Sequence, residues 1–135
     1  MERTTTGRKA LGIVVGTLVA IVIVGLIEAI GHRLYPLPAG TDLSNPESLR
    51  TMIDVMPLAA KMMVLVAWFL GSLIGGWTAQ RIARWHLAPW IVAAAIVIGG
   101  IWSMIMIPHP LWMIAAGVTL PLLAAAMVSR RTQAD

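Results

Sequence analysis

Residues 10–38 read ALGIVVGTLVAIVIVGLIEAIGHRLYPLP, and this stretch decides the fold. From Ala10 to Ile30 only Glu28 can carry a charge. A helix of about 20 apolar residues crosses the hydrocarbon core of a bilayer, so residues 10–30 are read as a membrane span. Glu28, His32, Arg33, Pro36 and Pro38 then crowd its end, which places a carboxylate at or inside the edge of an apolar run. Met1 to Lys9 is polar and carries Arg3, Arg8 and Lys9. A cleaved signal peptide would be followed by a soluble chain, whereas the rest of this chain is itself membrane-like, so the first run is expected to be an uncleaved anchor.

Composition agrees. Hydrophobic residues make up 59% of the 135, charged residues 12%, and the mean hydropathy is +0.84, well outside the range of soluble domains. There is no cysteine, so disulfides and thiolate metal sites are excluded. The net charge of +4 does not point to nucleic acid, because the basic residues are dispersed in short segments flanking apolar runs.

Three further spans are expected at about 57–79, 89–107 and 111–128, giving an all-α, antiparallel four-helix membrane bundle in one domain, residues 1–135. The loop 31–56 contains Ser44-Asn45-Pro46-Glu47, in which Asn45 can cap a helix, Pro46 suits its first position and Glu47 favours its positive end. Leu49, Met52, Ile53 and Met56 follow at helical spacing, so a short amphipathic helix is expected on the membrane surface, ended by Pro57. The alternative is that it forms the frayed start of the second span. Arg3, Arg8, Lys9, Arg81, Arg84, Arg130 and Arg131 fall on one side, seven against Arg33 and Arg50 on the other, with Lys61 assigned to neither. By the positive-inside rule both termini are expected to be cytoplasmic, in a bacterial inner membrane, with the loop 31–56 facing outward. The tryptophans sit near the span ends as interfacial anchors, except Trp68, which is mid-span.

Spans in lipid associate through small residues and polar contacts. Gly12 and Gly16, Gly71 and Gly75, and Ala95 and Gly99 are small pairs at four-residue spacing, read first as packing within the bundle. Pro121 removes a backbone donor inside the fourth span and is expected to kink it.

One candidate site emerges. Glu28 near the end of the first span and Lys61 near the start of the second are expected at similar depth as a buried ion pair, on faces carrying Gly25, Ile21, Thr17 and His32 in one helix and Leu65, Trp68, Ser72, Gly75 and Ala79 in the other. The competing reading is that Lys61 snorkels to the interface and Glu28 bonds to the loop. His32, Asp54 and His109 form a candidate outer polar cluster, and Glu28, His32 and His109 offer nitrogen and oxygen donors for a divalent ion such as zinc, set against histidines that merely bond loop carbonyls. No other cofactor is expected. His86, among basic residues, suits a lipid headgroup. The histidine–proline strings after the first and third spans also allow a two-span duplication.

The strings GHRLYPLP, AWFLGSLIGGWTA and IPHPLW resemble those of uncharacterised short four-span bacterial membrane proteins. That resemblance implies the fold and imports no catalytic residue. The expected function is a structural or accessory role without enzymatic activity. It would be exercised in the lipid bilayer through the outer face or through lateral partners, either a second copy or another membrane protein. Two alternatives are a proton- or ion-coupled small transporter or channel subunit using Glu28, Lys61 and His32, and a metal-dependent membrane enzyme with an outward-facing site.

Overall fold

The computed structural model describes residues 2–131, with side chains from residue 5 onward. It is all-helical: α1 Glu2–Leu34, α2 Pro46–Val55, α3 Leu58–Ala83, α4 Ala88–Met106 and α5 Leu111–Arg131. No strand occurs among the described residues. The four long helices are each apolar and long enough to cross a membrane, and they alternate in direction as a four-span bundle requires. Glu2, Ala83, Ala88 and Arg131 therefore share one end, called the terminal end below, and α2 lies at the other.

The helix boundaries differ from the sequence reading where glycine and proline had to be weighed. α1 continues through Gly31 and His32 and stops only when Pro36 disfavours helical geometry in Tyr35, whose N–H closes the last turn on the Gly31 carbonyl at 2.8 Å. A single glycine costs a helix only about 1 kcal/mol, which a long apolar helix tolerates. α3 runs past Ala79 to Ala83 and is closed by Arg84 in the left-handed conformation (φ 48°, ψ 45°), its N–H on the Gln80 carbonyl at 2.8 Å. α5 runs through the fully buried Pro121 without a break in its helical assignment.

The short helix α2 forms where expected. The Asn45 side chain accepts the Glu47 N–H at 2.9 Å and Pro46 takes the first position. Its buried residues Leu49, Met52 and Ile53 pack with Met56 and with Ile107 from the α4–α5 turn, so α2 covers that end of the bundle. In the loop before it, Asp42 accepts both the Ser44 hydroxyl (2.6 Å) and the Ser44 N–H (2.9 Å), which holds its carboxyl below the usual value of 3.8.

α3 is the central helix: it touches α1, α4 and α5, and α1 also touches α4. The α1–α3 seam is built from small residues on both sides. A Cβ placed on Gly12 would meet Ala79 and Ala83; on Gly16, the Gly75 carbonyl oxygen and the Ala79 Cβ, both at 2.5 Å; on Gly75, the Gly16 carbonyl and Ala20; on Gly71, Ala20 and Val24. Each four-residue step along α1 is matched by a four-residue step back along α3. This is packing along the i±4 ridges with the backbones almost touching, the geometry that small residues permit in lipid. The glycine pairs of α1 and α3 are therefore consumed inside the bundle. Gly99 is different, with nothing within 4 Å of where its Cβ would stand.

Candidate functional site

The centre of the bundle is occupied by Trp68. Its side chain leaves α3 and enters a slot made by two glycines, one on each neighbouring helix. A Cβ on Gly100 of α4 would stand 2.5 Å from the indole Cζ3, and one on Gly117 of α5 would stand 2.7 Å from the same atom. Only 6% of Trp68 is exposed. Its indole N–H points to the remaining helix, α1, and donates to Oε1 of Glu28 at 3.2 Å. One side chain thus makes contact with all three other long helices. A buried indole N–H needs an acceptor, and an intramembrane carboxyl needs a donor, so the contact satisfies both groups.

The expected Glu28–Lys61 ion pair is not made: Glu28 bonds to Trp68, and no ion pair joins it to Lys61 among the described residues. The seam explains why. Extending the pairing of Gly16 with Gly75 and Ala79, and of Ala20 with Gly71 and Gly75, brings Glu28 level with Met63 and Ala67, next to Trp68 in sequence. Lys61 comes level with His32, about four residues and roughly 6 Å farther along the axis. The sequence reading placed Glu28 one turn from the helix end because it ended α1 at Ile30. The four extra residues put Glu28 deeper.

The face assigned to Glu28 is also corrected. Ile21 is 56% exposed and Gly25 meets open space, whereas Gly12, Gly16 and Ala20 are buried. Stepping back from Glu28 by three and then four residues selects the wrong stripe; the buried one follows steps of four. The face read for α3 is correct: Leu65, Trp68, Ser72, Gly75 and Ala79 are all buried. The Ser72 hydroxyl, one turn from Trp68, is fully buried and without a hydrogen-bond partner.

The outer polar cluster does not assemble. No three histidine, aspartate or glutamate side chains among the described residues are close enough together to hold a metal ion, so Glu28, His32 and His109 do not form the expected ligand set. His32 and Asp54 are exposed. His109 Nδ1 lies 2.6 Å from the Ile107 carbonyl oxygen; a carbonyl only accepts, so Nδ1 carries the proton and the ring is tied to its own loop. The Glu28 carboxylate accepts from Trp68.

At the terminal end, a groove of about 1140 Å³ runs between α3 and α5. Arg81, Arg84, Arg131 and His86 line it together with Trp77 and Trp85, and no carboxylate among the described residues does. The Arg81 guanidinium stacks 5.1 Å from the centre of the Trp77 ring, and the Lys9 ammonium lies 4.9 Å from that of Trp85. The basic residues were legible in the sequence as topology signals; their convergence on one groove was not.

These features define a class, a helical bundle of four potential membrane spans closed at its centre by an aromatic side chain. Comparison with protein-family models, curated proteins and solved structures finds no significant match.

Proposed function

We propose that the chain is a multi-pass protein of the bacterial inner membrane with a structural or accessory role, exercised through lateral contacts or through the face that carries α2. The observation that carries this reading is Trp68. It fills the space between the four helices where a conducting path would run, and it engages the carboxyl that a coupling mechanism would need free. An ion-coupling mechanism needs its intramembrane carboxyl free to exchange a proton, and Glu28 is instead engaged by the Trp68 indole N–H.

The function test is flux. Proteoliposomes holding the purified chain should conduct protons and monovalent cations no faster than empty vesicles, with Glu28→Gln indistinguishable from the native protein. Flux above background that Glu28→Gln abolishes would overturn the structural reading in favour of transport.

Both termini are placed on the cytoplasmic side by their basic residues. An impermeant maleimide added to intact cells should label Ser44→Cys and leave Thr5→Cys unlabelled. The reverse pattern would invert the orientation.

A further inference from the structure

We propose that the groove between the carboxy-terminal ends of α3 and α5 binds the phosphate headgroup of an anionic phospholipid. The proposal rests on the membrane reading above but not on the closed centre of the bundle. The groove has two kinds of wall. Toward the middle of the bundle, Ile74, Trp77 and Met127 present exposed apolar surface where an acyl chain would lie. Toward the terminal end, Arg81, Arg84 and Arg131 supply three guanidinium groups, with no carboxylate lining the groove among the described residues. A guanidinium offers paired N–H donors that match the oxygens of a phosphate, so this end suits a phosphodiester.

Two of the arginines are held in position by other contacts. The Arg81 guanidinium is held over the Trp77 ring. Arg84 occupies the left-handed closing position of α3, where glycine is the usual residue, so its side chain projects from a fixed turn. Among the described residues neither the Arg84 nor the Arg131 guanidinium is engaged in an ion pair or a hydrogen bond. Trp77 and Trp85 line the same groove, and tryptophan is the side chain that favours a headgroup region. A free anion would use only the basic end; a phospholipid uses both walls.

The test is lipid binding to the purified full chain in a nonionic detergent, read by native mass spectrometry with phosphatidylglycerol, phosphatidylcholine and inorganic phosphate as separate probes. Phosphatidylglycerol should bind more tightly than phosphatidylcholine, and millimolar inorganic phosphate should not displace it. Basic residues near a membrane surface are each worth roughly fivefold in affinity, so Arg81→Gln/Arg84→Gln/Arg131→Gln should weaken phosphatidylglycerol binding on the order of a hundredfold. Arg8→Gln/Arg50→Gln/Arg130→Gln removes the same charge outside the groove and should leave most of the affinity. Equal binding of the two lipids, an equal loss in the two triple variants, or displacement by inorganic phosphate would each overturn the proposal. If the glutamine variant does not fold, the lysine triple at the same positions is read instead. It should keep the preference between lipids while binding more weakly, and unchanged affinity would contradict a guanidinium site. A chain that stays soluble without detergent would instead refute the membrane reading itself.

Discussion

Trp68→Ala should cost about 3–5 kcal/mol of stability in detergent, the range for removing a large buried aromatic side chain. Transfer from water contributes little to that figure in a membrane bundle, because lipid is as apolar as the interior. The loss comes from the contacts of an indole fitted against Gly100 and Gly117, and from leaving the Glu28 carboxyl without its donor. The slot also predicts its own remedy. Gly100→Leu should destabilise the native protein, since its Cβ alone would stand 2.5 Å from the ring, yet should restore part of the stability lost in Trp68→Ala by filling the vacated space. Unfolding by SDS titration, followed by circular dichroism, measures all three variants. A Trp68→Ala variant as stable as the native chain would mean that the centre of the bundle is not packed as described.

The second large effect is expected at the α1–α3 seam. Gly16→Leu should cost about 3 kcal/mol, the upper part of the range for overpacking, because the obstacle is the Gly75 carbonyl and the Ala79 backbone rather than a side chain that could turn aside. Gly75→Leu should cost as much alone and less in the Gly16→Leu background, since the first substitution already separates the helices. Gly25→Leu, on the open face of the same helix, should be neutral or slightly stabilising. The same SDS titration distinguishes a seam from a general intolerance of leucine. Equal losses at Gly16 and Gly25 would remove the seam from the fold.

What could be read from the sequence divides along physical lines. The spans were legible because the length of an apolar run is set by bilayer thickness, and α2 because Asn45, Pro46 and Glu47 act locally. The buried face of α1 was not. Leu11, Leu18 and Leu26 face outward while Gly12, Gly16 and Ala20 face inward, so hydrophobicity gives no contrast and only residue size marks the interface. Trp68 stood out as the tryptophan away from the span ends, and its face on α3 was read correctly. Its partner depended on the register between two helices, which depends in turn on where α1 stops. A four-residue error at Gly31 was enough to match Glu28 with Lys61 instead of Trp68.

The central claim is that the carboxyl of Glu28 is used within the bundle by Trp68. The most direct measurement is a pair of double-mutant cycles on unfolding free energy. One combines Glu28→Met with Trp68→Phe; the other combines Glu28→Met with Lys61→Met. Methionine is used because glutamine would keep an oxygen for the indole N–H. The first cycle should show a coupling of roughly 0.5–3 kcal/mol and the second should be additive within about 0.5 kcal/mol. Coupling to Lys61 with none to Trp68 would contradict the claim.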